Sequence, residues 1–322
     1  MSATALGAPA TGSRITAVAH HLPGPPVSNG EVAARAGVAE DWIRRRVGIE
    51  ARHHARAEES VVDLAEVAAA KALAAAGCSP DEIGLVILAT CSMESPMPTG
   101  AARLAARLGL DHCGAFDLNA ACAGFGCALA VADQAVRSGA AAHVLVVGAE
   151  KMTAWVDAGC RATAPIFADG AGAVVVSAGT YRGIGPVVWG HRGEDAELIA
   201  IPDRAGTVEM RGQEVYRWAT TDLGALLRSA CDQAGVAPED LAAFVPHQAN
   251  ARIIAHLVRQ LELTPDTVVS TDITHSGNTS AASVPIALSK LVQRGTVPSR
   301  APVLLFGFGA GLTWAGQVVL CP

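Results

Sequence analysis

The stretch Asp117-Leu118-Asn119-Ala120-Ala121-Cys122-Ala123-Gly124-Phe125 decides how this chain folds. It joins an apolar run to an alanine-rich helical pattern, Gly124 to Ser138, through a turn of small residues that carries a cysteine. A second stretch of the same make, Gly277-Asn278-Thr279-Ser280-Ala281-Ala282-Ser283, leads into another helical pattern, Ser283 to Arg294.

Outward from these turns, short apolar runs alternate with longer amphipathic stretches, the pattern of an α/β fold. Ile83 to Thr90, Val144 to Gly148, Ala173 to Ser177, Ala242 to Val245 and Val303 to Phe306 read as strands. Val61 to Ala76, Gly100 to Leu108, Thr220 to Ala234 and Ala251 to Leu261 join the two patterns above as helices. Several of them stop at a glycine (Gly77, Gly109, Gly139, Gly235), as expected where the chain turns left-handed.

The order of elements repeats at half-chain scale. Ile83 to Cys91 is followed by a helix, a strand and the loop bearing Cys122; Ala243 to His247 is followed by a helix, a strand and the loop bearing Asn278. Cys91 to Cys122 and His247 to Asn278 are each separated by 31 positions (122 − 91 and 278 − 247). Two related halves are expected, 14–179 carrying the cysteine and 180–322 carrying the histidine and asparagine, after a loose tail over 1–13. Ligands in such sheets gather beyond the carboxyl ends of strands, where the three side chains would meet.

The 322 residues are 51% hydrophobic and 17% charged with 33 glycines, a composition able to bury a large core. A net charge of −6 argues against a whole-chain nucleic-acid surface. The eight cysteines show no C-x-x-C and no paired metal-ligand spacing, so reduced thiols are expected and no metal. The first residues lack the charged and apolar regions of a signal peptide, and no apolar run is long enough for a membrane span; a cytoplasmic protein is expected. His20-His21 and His53-His54 lack the spacing of a helical zinc site, and Gly307-Phe308-Gly309-Ala310-Gly311 lacks the strand-to-helix fingerprint of a dinucleotide site.

Singly, each polar residue has a structural explanation: a buried cysteine, a core histidine, an asparagine capping a turn. Cysteine, histidine and asparagine together also suit a papain-like protease. Here, however, all three sit in small-residue loops after apolar strands. The segments Ala121-Cys122-Ala123-Gly124-Phe125, Pro246-His247-Gln248-Ala249-Asn250-Ala251-Arg252-Ile253, Gly277-Asn278-Thr279-Ser280-Ala281-Ala282-Ser283-Val284-Pro285 and Gly307-Phe308-Gly309-Ala310-Gly311-Leu312-Thr313-Trp314 closely resemble the motifs of β-ketoacyl-acyl-carrier-protein synthase III. The resemblance runs from about Ile15 to Leu320 and implies the thiolase-like α/β fold, five layers αβαβα built from two similar halves, as a homodimer.

The chemistry follows from the residue types. The start of the Gly124 to Ser138 helix is expected to lower the Cys122 pKa, giving a thiolate that attacks an acyl-CoA thioester. The resemblance implies that the backbone N–H groups of Cys122 and Ala310 hold the oxyanion, although many relatives have glycine at 310. His247 and Asn278 would both donate to the carbonyl of a malonyl thioester as it decarboxylates, with Phe308 packed near Cys122 to exclude water. By the same resemblance Trp42 and Arg161 sandwich the CoA adenine, Arg46 meets its phosphates, Gly212 adjoins the ligand and Asn250 faces the pantetheine arm. Val47 and Gln213 replace a frequent threonine and asparagine. Arg217, Arg252 and Arg259 lie on two helices expected to dock the acidic carrier protein.

Met97, where relatives often carry phenylalanine, corresponds to a segment that closes the partner subunit's acyl pocket, and its flexibility points to a primer other than strictly acetyl. Acyl-CoA is then a substrate and no cofactor is required. Fatty-acid initiation and priming of a polyketide synthase both fit. Acyl transfer without decarboxylation is the alternative, disfavoured because only enolate formation needs the second donor, Asn278.

Overall fold

The computed structural model describes residues 12–203 and 206–322. Ten strands form two five-stranded sheets. In the first half they are β1 (Gly12–His21), β2 (Ile83–Ala89), β3 (Gly114–Leu118), β4 (His143–Lys151) and β5 (Asp169–Gly179). In the second half they are β6 (Val188–His191), β7 (Ala243–Pro246), β8 (Val268–Val269), β9 (Pro302–Gly309) and β10 (Thr313–Leu320).

The first sheet runs β1-β5-β4-β2-β3 and the second, read in the same sense, β6-β10-β9-β7-β8. Orientations match pair for pair. β1–β5 and β5–β4 are antiparallel, β4–β2 and β2–β3 parallel. β6–β10 and β10–β9 are antiparallel, β9–β7 and β7–β8 parallel. The half-chain repeat is therefore a structural duplication.

Both faces of each sheet are covered, which is why the strands read as continuous apolar runs. Side chains alternate across the pleat: Ile87 and Ala89 face the centre of the molecule, Val86 and Leu88 the outside. The central layer is the pair of helices Gly124–Arg137 and Ser283–Gln293, whose Phe125, Leu129, Val284 and Leu288 pack between the sheets. Helices Val61–Ala76 and Gly100–Arg107 cover the first sheet, and Gly212–Thr221, Leu223–Ala234 and Ala251–Leu261 the second. The result is the expected five layers, αβαβα. Gly77, Gly109, Gly139 and Gly235 all take positive φ, between 66° and 79°, as their positions require.

Three sequence expectations need correction. The tail expected over 1–13 falls outside the described residues up to residue 11, but Gly12 and Ser13 open strand β1, because β5 extends far enough to pair them with Gly179 and Ala178. Ser13 is fully buried and donates its hydroxyl to Asp133 at 2.5 Å. The helix expected over Thr220 to Ala234 is two helices meeting at Asp222.

The third concerns register. The two central helices begin at Gly124 and Ser283, each preceded by a single 3₁₀ turn, Ala121–Ala123 and Ser280–Ala282. Each turn starts at a residue of positive φ, Ala121 at 45° and Ser280 at 49°. Asn119 Oδ1 and Asn278 Oδ1 accept the N–H of that residue at 3.1 and 2.9 Å. Cys122 is thus equivalent to Ala281, and Asn278 to Asn119. The equal spacing of 31 (122 − 91 and 278 − 247) pairs positions that are not equivalent.

Candidate active site

Cys122 sits where β3 gives way to the central helix Gly124–Arg137. Gly309, at the end of β9, presses against it: a Cβ there would lie 2.7 Å from Cys122 Cβ and 2.8 Å from Sγ. Glycine is needed for close approach rather than for its φ, which at 177° is ordinary extended backbone. The N–H groups of Cys122 and Ala310 both favour the thiolate form of this cysteine, as the two expected oxyanion donors should. Thr313 Oγ1 lies 2.8 Å from the Ala310 carbonyl and 3.1 Å from that of Ala120, linking the two loops through one hydroxyl.

The expectation of a lowered Cys122 pKa is overturned. Burial pushes the thiol up to about 11, outweighing the Ser280 hydroxyl and the two N–H groups that favour the thiolate, while Glu150 adds to the rise.

His247 follows β7, its N–H donating to the Phe306 carbonyl at 2.7 Å, and is 2% exposed. Burial lowers its pKa to about 3, so the ring is neutral at physiological pH. Its Nδ1 is 2.6 Å from Ser283 Oγ, which also accepts the Gln248 N–H at 3.3 Å. Ser283 thereby fixes the ring through Nδ1. Phe308 packs edge-on against the ring at 5.3 Å and 79°.

Asn278 is fixed in the same way. Its N–H donates to the Ile166 carbonyl and its own carbonyl accepts from Ala168, at 3.0 and 2.9 Å. Because Oδ1 takes the Ser280 N–H, the amide NH₂ is the end left to face the cavity. Cys122, His247, Asn278, Phe308 and Ala310 line one cavity of about 1350 Å³.

Trp42, Arg46, Arg161, Gly212, Asn250, Arg217 and Arg252 line the same cavity. The Arg161 guanidinium lies 5.6 Å from the Trp42 ring centre. A base between them needs two stacking gaps of about 3.5 Å each, so Arg161 has to swing outward to admit one. Asn250 is also engaged within the chain: its Oδ1 accepts the Arg252 N–H at 2.8 Å, capping the helix, and its Nδ2 donates to the Arg46 carbonyl at 3.3 Å. Arg217, Arg252 and Arg259 are all exposed; Arg252 rests on the Tyr216 ring at 5.2 Å and Arg259 lies 3.3 Å from His256 Nδ1, outside the cavity lining. Met97 is 78% exposed and does not line the cavity of its own chain, whereas Met93, Met152 and Trp155 do.

Sequence reasoning missed Ser280, Ser283, Cys91 and Glu150. Glu150 had a signal: the apolar run read as Val144 to Gly148 continues in the same strand to Glu150 and Lys151, so a carboxylate follows a buried strand with no break.

Residues 116–193 match the family model described as 3-oxoacyl-[acyl-carrier-protein] synthase III, and residues 231–321 match its C-terminal counterpart. Among curated proteins, β-ketoacyl-[acyl-carrier-protein] synthase III 2 of Streptomyces avermitilis is 50% identical over 97% of this chain and 99% of that protein. Synthase III 4 of Streptomyces coelicolor has the same identity and coverage. Among solved structures, a priming β-ketosynthase from a polyketide biosynthetic pathway superposes with a TM-score of 0.96 at 41% identity, over 99% of both chains. The synthase III of Aquifex aeolicus gives 0.92 at 36% identity, over 96% of this chain and all of that one.

Proposed function

This chain belongs to the 3-oxoacyl-[acyl-carrier-protein] synthase III family, and we propose that its cavity residues divide a decarboxylative condensation among them. Cys122 attacks an acyl-CoA thioester, the N–H groups of Cys122 and Ala310 hold the tetrahedral oxyanion, and CoA leaves an acyl-enzyme. Malonyl-acyl carrier protein then enters. His247 Nε2–H and Asn278 Nδ2–H donate to its thioester oxygen as CO₂ departs, and the resulting enolate carbon attacks the acyl group on Cys122. Phe308 keeps water from the acyl-enzyme and the enolate.

One observation carries this division of labour. Ser283 holds His247 Nδ1 and the Ser280 N–H holds Asn278 Oδ1, so the ring's Nε2 and the amide NH₂ are the ends left for a ligand. Paired neutral donors suit an oxygen that gains negative charge in the transition state. Acyl transfer without decarboxylation would leave the pair without a task.

Trp42, Arg46 and Arg161 bind the adenine and phosphates of CoA, and Gly212 and Asn250 shape the channel. Arg217, Arg252 and Arg259, exposed on neighbouring helices, form the docking surface for the acidic carrier. The protein acts in the cytoplasm as a homodimer, in which Met97 reaches the partner's acyl pocket; its exposure, and that of Phe116 on the edge strand β3, supports this arrangement. Among the described residues no helix is long and apolar enough to cross a membrane.

Condensation assays with a series of acyl-CoA primers and malonyl-carrier protein test the reading. The expected result is CO₂ release and a β-ketoacyl carrier with primers longer or more branched than acetyl, narrowing toward acetyl in Met97→Phe. Strict preference for acetyl-CoA, unchanged by that substitution, contradicts the primer assignment; acyl transfer with no CO₂ contradicts the condensation.

A further inference from the structure

Beneath the Asn278 loop lies a cation that the condensation leaves without a task. Arg52 is fully buried, yet among the described residues no carboxylate pairs with it. It donates to Asn29 Oδ1 at 2.7 Å and to the Pro165 carbonyl at 3.0 Å, and its Nε is buried with no acceptor among the described residues. Burial lowers its pKa to about 10, so the guanidinium stays charged near neutral pH. Burying an uncompensated charge is destabilising, and an apolar side chain would fill the space without that penalty. What the guanidinium supplies instead is two directed donors.

Both ends of that fork bear on Asn278. Asn29, 1% exposed, donates its Nδ2 to the Ile49 carbonyl at 2.7 Å, which turns its Oδ1 toward Arg52 and fixes the guanidinium on one side. On the other side Pro165 opens the segment that grips Asn278. The Ile166 carbonyl accepts the Asn278 N–H, the Ala168 N–H donates to the Asn278 carbonyl, and Phe167 between them forms a parallel bridge with Asn278.

The rest of the Glu50–Arg52 stretch supports the opposite flank. Gly277, the residue before Asn278, turns through a φ of 69°, and a Cβ there would stand 2.8 Å from Arg52 Cβ. The Glu50 N–H donates to the Thr274 carbonyl at 2.7 Å, tying the stretch to the helix Ile273–Ser276 that leads into the loop. Among the described residues the Asn278 side chain is tied through Oδ1, to the Ser280 N–H. The direction of its NH₂ therefore follows the backbone that Arg52 braces.

We propose that Arg52 is a positioning residue for decarboxylation: bonded to Pro165 and packed beneath Gly277, it holds the Asn278 amide where the malonyl thioester oxygen develops charge. Arg52 does not line the cavity, so it acts only through Asn278.

The assignment rests on the reading of Asn278 as a decarboxylation donor, and a double-mutant cycle separates the two. Cys122 acylation by an acyl-CoA and CO₂ release from malonyl-carrier protein are measured in wild type, Arg52→Met, Asn278→Ala and the double variant. Arg52→Met should lower CO₂ release by about 10–10²-fold, as expected for a donor displaced by roughly 1 Å, with acylation close to the wild-type rate. On the Asn278→Ala background the same substitution should lower CO₂ release little further, because the group it positions is gone. Arg52→Lys keeps the charge and reaches one acceptor in place of two; it should show a smaller loss with the same dependence on Asn278, and it stands alone if Arg52→Met fails to fold. A full Arg52 effect on the Asn278→Ala background, or acylation falling in step with CO₂ release, overturns the positioning role. Arg52 variants that release CO₂ at the wild-type rate while Asn278→Ala does not overturn it too, and leave the Asn278 reading intact. Undiminished CO₂ release in Asn278→Ala overturns both.

Discussion

Cys122→Ala should form no acyl adduct with any acyl-CoA and lose condensation by on the order of 10⁴-fold or more. The sulfur is the only atom on which the two half-reactions meet: it receives the acyl group under the N–H groups of Cys122 and Ala310 and surrenders it to the enolate. The cavity, His247 and Asn278 survive the substitution, so the variant should still fold and bind CoA. Intact-protein mass spectrometry after incubation with acyl-CoA, beside a CoA-binding titration, checks both halves of the expectation. An adduct of the same mass on the alanine variant would move the nucleophile elsewhere.

The second large effect is expected at Gly309→Ala, a position that takes no part in the chemistry. The added methyl would stand 2.7 Å from Cys122 Cβ and 2.8 Å from Sγ, closer than carbon or sulfur tolerates. Neither side can yield easily. Cys122 is held in its 3₁₀ turn between the Asn119 cap and the central helix, and Gly309 is paired with Thr313 in the β9–β10 ladder. Overpacking of this kind costs about 1–3 kcal/mol of stability, and displacing a nucleophile by 1 Å costs on the order of 10²-fold in rate. Thermal unfolding and acylation rate should therefore both fall. A variant with unchanged acylation would show that the β9 end does not position the sulfur.

Much of this was legible in the sequence because the chemistry-bearing residues stand in loops between elements whose periodicity is strong. Both faces of each sheet are buried, so Val144–Gly148 and Val303–Phe306 read plainly as strands, and left-handed glycines mark where helices stop. Cys122, His247 and Asn278 were found through the repeat and the motifs that surround them. The repeat itself was read in the wrong register, because equal spacing compares residue numbers while equivalence is set by the matching 3₁₀ turns and helix starts.

What the sequence left hidden are properties of packing. A helix start predicts a more acidic thiol, but the depth at which β9 and the second-half loop enclose Cys122 reverses the shift. Ser283 and Ser280 look like helix-start residues; only the contact of Ser283 with His247 and of Ser280 with Cys91 ties them to the site. One charged residue at the end of an apolar strand resembles the strand's exit to solvent, but Glu150 is buried, its carboxylate held by Thr90, Ser92, Cys91 and Ala281. Asn250, conversely, spends its amide on a helix cap and on the Arg46 carbonyl, contacts that its motif does not reveal.

The central claim is that one group is acylated and two others serve decarboxylation. Asn278→Ala tests it most directly, with the Cys122 acyl adduct and CO₂ release from malonyl-carrier protein measured on the same sample. Losing one of two oxyanion-type donors should lower CO₂ release by about 10²–10³-fold while acylation proceeds at close to the wild-type rate. If acylation and CO₂ release fall together, the separation of roles between Cys122 and the His247–Asn278 pair is wrong.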